Sequence, residues 1–67
     1  MNIAKRILEL RSKHNISQGE LSKMVGVTRQ TISSWENGKS VPDINQSVKL
    51  AKAFKITLDE LIKEEEK

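Results

Sequence analysis

The stretch at residues 17–39, SQGELSKMVGVTRQTISSWENGK, leaves fewer folds open than any other part of this sequence. Ser17 can accept the backbone N–H of Glu20 while the Glu20 carboxylate reaches back to the N–H of Ser17, a reciprocal box that starts a helix. Leu21, Met24 and Val25 then fall on one face at i, i+3, i+4. Gly26 stands where that helix must end, because glycine takes the left-handed conformation with no Cβ penalty. Thr28 restarts a helix at once. Counted at 100° per residue, Ile32 and Trp35 lie together, and Gln30, Ser33, Ser34 and Asn37 lie on the opposite side. One face of this second helix packs inward and the other is free for contact.

The flanking segments read as helices too. Over residues 3–14, Ile3, Ile7 and Leu10 repeat at i, i+4, i+7, with Lys5, Arg6 and Lys13 off the stripe. His14 is a cation-capable residue at the helix C-terminus, followed by Asn15 as a left-handed cap. Ile16-Ser17 with Leu21, Val27-Thr28 with Ile32, and Ile56-Thr57 with Leu61 each pair an apolar residue before a hydroxyl cap with one at the fourth helical position, the hydrophobic staple. After Gly38 the chain loops through residues 39–42, and Pro42-Asp43 suits a new helix start with Asp43 as N-cap. That helix runs to about Phe54, with Ile44, Ser47, Leu50, Ala51 and Phe54 inward and Asn45, Lys49 and Lys52 outward. Thr57 opens a short last helix bearing Leu58, Leu61 and Ile62, before a charged run at 63–67 expected to fray. The expectation is an all-α fold of five short helices, one domain over residues 1–67 with its core motif at 17–38.

Composition narrows the function. At 67 residues a domain buries only about 60% of its unfolded surface, so dimerisation or a ligand would stabilise it appreciably. There is no cysteine and one histidine, hence no disulfide framework and no expected metal site. No apolar run is long enough for a secretory signal or a membrane span, which makes the cytoplasm the expected location. Residues 1–42 carry seven Lys/Arg against three Glu, a balance of +4, whereas residues 43–67 carry five Lys against six acids, −1. Positive charge concentrated on the motif half would attract phosphate. No cysteine or histidine nucleophile pair and no phosphate-cradling glycine loop is present, so no enzyme and no small-molecule cofactor is expected.

Gln18, the apolar set Leu21, Val25, Val27, Ile32 and Trp35, Gly26 in the turn, and the run Trp35-Glu36-Asn37-Gly38-Lys39 together resemble the lambda-repressor-like helix-turn-helix family of Cro and Xre-type regulators. Ser22 stands where that family usually has alanine at a close helix crossing, and serine is nearly as small. The resemblance implies double-stranded DNA as partner, read in the major groove by the helix at 28–37. It assigns base contact to Thr28, Arg29, Gln30 and Ser34, with Ser33 on the same short-chained surface. Arginine can pair with guanine and glutamine with adenine. It assigns the DNA backbone to Gln18, Asn37, Lys39 and Ser40, and a partly buried structural ion pair to Arg11 and Glu36. No basic arm precedes the first helix and Asp43 is acidic where some relatives carry arginine, which argues against minor-groove reading. Leu58, Leu61 and Ile62 are the expected homodimer interface, for a regulator, in the first instance a repressor, on a palindromic operator. The competing expectation is an antitoxin-like or coactivator-like module whose partner is a protein.

Overall fold

The computed structural model describes residues 3–62, and the run at 63–67 expected to fray lies outside them. Five helices follow one another: α1 Ile3–Lys13, α2 Gln18–Val25, α3 Arg29–Glu36, α4 Ile44–Ala53 and α5 Leu58–Ile62. Among the described residues there is no strand.

Side-chain caps set the helix starts. The Glu20 N–H donates to Ser17 Oγ at 3.0 Å and the Ser17 N–H to Glu20 Oε1 at 2.9 Å. That backbone donor, together with the serine side chain, holds the Glu20 carboxyl below the usual glutamate range. The same reciprocal box joins Asp43 to Gln46 (2.9 and 2.8 Å) and Thr57 to Glu60 (2.9 and 3.1 Å). α3 starts differently, with Thr28 Oγ1 accepting from the Thr31 N–H at 3.1 Å.

The helix ends repeat a second device. Asn15, Gly26, Gly38 and Lys55 all take left-handed backbone, at φ 57°, 83°, 74° and 59°. In each case the following residue donates to a carbonyl five positions back: Ile16 to Arg11, Val27 to Ser22, Lys39 to Ser34 and Ile56 to Ala51, at 2.9–3.0 Å. These bonds satisfy carbonyls that a helix end otherwise leaves orphaned. Three of the four endings run straight into the next cap, as Asn15-Ile16-Ser17, Gly26-Val27-Thr28 and Lys55-Ile56-Thr57. Ile16, Val27 and Ile56 pack against the core, so one apolar residue closes one helix and staples the next. The left-handed turn at Asn15 and Gly26 follows the expectation; that at Lys55 does not announce itself in the residue type.

The core is Ile7, Leu10, Leu21, Val25, Ile32, Trp35, Leu50, Ala51, Phe54 and Leu61, with α3 packed between α1 and α2, and α4 and α5 closing the other side. Ser22 is buried at the α2 crossing, where its Oγ donates to the Gly19 carbonyl at 2.7 Å. Two apolar residues expected inside are outside. Met24 is 51% exposed because the eight-residue α2 buries only the narrow seam of Leu21, Ser22 and Val25, and Ile44 is 64% exposed because it opens α4 beyond the edge of the core. His14 stacks on Phe54 with ring centroids 5.7 Å apart. Arg6 crosses from α1 to donate to the Glu60 carbonyl at 2.7 Å.

Candidate nucleic-acid interface

α3 buries Ile32 and Trp35 and leaves Arg29 and Gln30 exposed in its first turn, Ser33 and Ser34 half-buried, and Asn37, Lys39 and Ser40 exposed beyond its end. The expected base-facing set, Arg29, Gln30, Ser33 and Ser34 with the cap Thr28, therefore sits on one side of a helix whose other side is fixed in the core. Thr28 also meets the Thr31 hydroxyl at 2.9 Å, so its side chain belongs first to the helix start. The Asn37 amide donates to Ser33 Oγ at 3.3 Å, tying the helix end to the same face.

What aims this face is the far end of α3. Glu36 Oε2 accepts from Arg11 Nε at 2.6 Å, and Oε1 accepts from Arg11 Nη2 at 3.1 Å, a two-pronged guanidinium–carboxylate pair. Arg11 also donates from Nη1 to the Ile16 carbonyl at 3.0 Å. The two side chains are 18% and 7% exposed, so the pair lies largely out of water. Hydrogen bonding to Glu36 raises the Arg11 guanidinium above its ordinary value against the opposing effect of burial. The expected ion pair is present.

Gln18 has a partner within the protein that the residue types do not announce. Its amide nitrogen donates one N–H to Glu36 Oε1 at 2.9 Å, which leaves the second N–H of the amide for another acceptor. One carboxylate thus binds α1 and α2 to the last residue of α3. Gln18 and Gly19 still open α2 with backbone N–H groups that no intrahelical carbonyl meets. Nothing in the residue types announces the bond to Glu36, since a glutamine that faces phosphate carries the same amide.

A second contact has no counterpart in the sequence expectations. A Cβ placed on Gly19 would stand 3.8 Å from Arg29 Cδ and 3.9 Å from Ser17 Oγ. The Arg29 stem therefore runs back over the first turn of α2. The available signal is a glycine inside a helix at a position where its φ is not left-handed.

The expected subunit contact needs one correction. Leu61 is fully buried beneath α1 and α4 and forms part of the core, so it presents no surface to a second chain. Leu58 packs partly against the core and Ile62 is 39% exposed.

Known proteins agree with this architecture. A family model described as helix-turn-helix matches residues 7–61. The chain is 35% identical over 66 residues, 98% of its length, to the transcriptional activator BcrR of Enterococcus faecalis, of which it spans 32%. It is 38% identical over 56 residues, 84% of its length and 85% of the relative's, to the uncharacterized transcriptional regulator YgzD of Bacillus subtilis. Among solved structures, the P22 c2 repressor in complex with a synthetic operator superposes with a TM-score of 0.86 at 36% identity, covering 94% of this chain and 96% of that one. With the capped helix pair, the left-handed turn at Gly26 and the exposed face of α3 in place, the chain belongs to the lambda-repressor-like helix-turn-helix family of DNA-binding transcriptional regulators.

Proposed function

We propose that α3 lies in the major groove of double-stranded DNA and that Gln30 is its principal base reader, with Ser33 and Ser34 short enough to let the helix sit deep. Lys39 and Ser40, exposed just past the left-handed turn at Gly38, take phosphates along the rim with the main chain at the start of α2. The observation that carries this reading is the solvent-facing polar side of α3, locked in orientation by the Glu36 link to Arg11 and Gln18. The chain acts as a homodimer on a palindromic operator in the cytoplasm, with Ile62 and the outer edge of Leu58 at the subunit contact. Two copies place their α3 helices one DNA turn apart, ~34 Å or about 10 base pairs between half-site centres. Occupation of the operator represses transcription, the role that the name of the similar P22 c2 repressor carries.

The test is unbiased selection of a binding site, followed by a base-by-base affinity scan over a salt series. Gln30→Ala should leave thermal stability within about 0.5 kcal/mol and lower discrimination at one base pair per half-site by roughly 1–3 kcal/mol. Lys39→Ala should weaken all sequences alike and reduce the slope of log affinity against log salt by about one. An affinity indifferent to salt, with no selectable site, would return the domain to the protein-holding role.

A further inference from the structure

We infer that Arg29 binds phosphate rather than a base, because its stem is laid along the first turn of α2 beside Gly19; the inference rests on the DNA-binding reading above. Arg29 is the first residue of α3, one step of about 100° from Gln30 around the helix. Its Cδ lies at ordinary contact distance, 3.8 Å, from the place a Gly19 side chain would begin. The guanidinium begins at Nε, the atom bonded to Cδ, so it starts from the seam between α2 and α3 and not from the outer face where Gln30 stands.

Gly19 has no backbone reason to be glycine. Only Gly26 and Gly38 among the glycines have positive φ, and a glycine inside a helix is about 0.5–1 kcal/mol worse than alanine. An added Cβ would meet the Arg29 stem only at ordinary contact distance, so the seam holds the stem closely without a clash. The two carboxylates nearest this seam in the chain are both occupied, Glu20 by the Ser17 N–H at 2.9 Å and Glu36 by Arg11 and Gln18. Among the described residues no acceptor meets the Arg29 guanidinium, which leaves its five donors in solvent at the mouth of the interface. In helix-turn-helix docking the first helix of the pair crosses the sugar-phosphate backbone while the second enters the groove. A guanidinium launched from the α2 side therefore meets phosphate oxygens before it meets guanine on the groove floor.

The experiment is the base-by-base scan and salt series on the selected site with Arg29→Ala, Arg29→Lys and Gly19→Val, and Gln30→Ala as the base-reading control. Arg29→Ala should weaken every base variant by the same factor. Its salt slope should be shallower by about 0.9, so its deficit relative to wild type shrinks about 3.5-fold between 50 and 200 mM salt. Arg29→Lys should restore the slope and most of the affinity, because phosphate accepts a point charge whereas bidentate guanine pairing does not. Gly19→Val, whose branched side chain would meet the stem, should copy Arg29→Ala. Loss of preference at a single base pair in Arg29→Ala, unrescued by lysine, would overturn the inference and put Arg29 on a base while leaving DNA binding intact. Salt-independent behaviour of the wild-type chain would instead sink the DNA-binding reading, and this inference with it.

Discussion

Glu36 accepts three hydrogen bonds while nearly closed off from water, and the consequences of removing it are lopsided. Glu36→Ala leaves Arg11 with only the Ile16 carbonyl, an uncompensated charge in a site that is 18% exposed. The cost should be about 3 kcal/mol, the lower end of the range for breaking a buried pair, because some water reaches the guanidinium. A domain of this size holds roughly 3–10 kcal/mol in all. Replacing both partners with apolar residues of similar volume should recover much of the loss, and denaturant melts in a double-mutant cycle measure the coupling. Strictly additive single losses would mean the pair contributes nothing as a pair. Arg11 and Glu36 were legible as a pair through the family resemblance, which assigns them that role. The part Gln18 plays was not, since its hydrogen bond spans 18 positions and depends on how α2 is laid across α3.

Helices α1 to α4 all end on a left-handed residue, and the four residues differ in how well they suit it. Glycine does so freely and asparagine tolerates it, but a lysine there strains its Cβ against the following carbonyl. Lys55→Gly should therefore stabilise the fold by about 0.5–1 kcal/mol, after allowing for the extra freedom glycine gains when unfolded. Thermal unfolding followed by circular dichroism should show a rise of several degrees, and an unchanged or lower midpoint would show that the Lys55 backbone is not strained. Gly26 and Asn15 could be read directly as helix stops because their side chains fit that conformation. Lys55 carries no such mark, and only the repeat of an apolar residue followed by a hydroxyl cap betrays it. All five helices were legible, since four N-caps and the apolar periodicities agree, whereas the outward turn of Met24 and Ile44 was not, because periodicity gives a face but not the width of the seam that a short helix buries.

At the scale of the molecule, ten side chains among the described residues make the core, so an apolar residue at the closing helix is needed inside before it can serve outside. Leu61 and Ile62 are neighbours with opposite fates for this reason. Leu61→Ala should cost about 2–5 kcal/mol, as for other fully buried leucines, and its unfolding midpoint should fall irrespective of protein concentration. Ile62→Ser should leave the isolated fold close to wild type but weaken self-association in sedimentation and cooperative occupation of the two half-sites. An Ile62→Ser chain that dimerises as well as wild type would move the subunit contact elsewhere. The sequence pattern offered three equivalent apolar positions in this helix; which one faces inward is decided by where α1 and α4 stand.

The three junctions that pass directly from a left-handed residue through an apolar one to a cap have a fixed length: residue 15 to 17, 26 to 28, 55 to 57. An added residue in any of them would separate the helix stop from the helix start and pull the shared apolar residue out of the core. The connector after α3 is of another kind, with Lys39, Ser40 and Val41 exposed between the turn at Gly38 and the cap at Asp43. Loop closure there grows only slowly with length, so two or three glycines inserted after Ser40 should leave the five helices folded, whereas one glycine inserted after Val27 should unfold them. Among the described residues the connector after α3 is thus the stretch whose length is free to drift, and it begins at the rim of the proposed DNA contact.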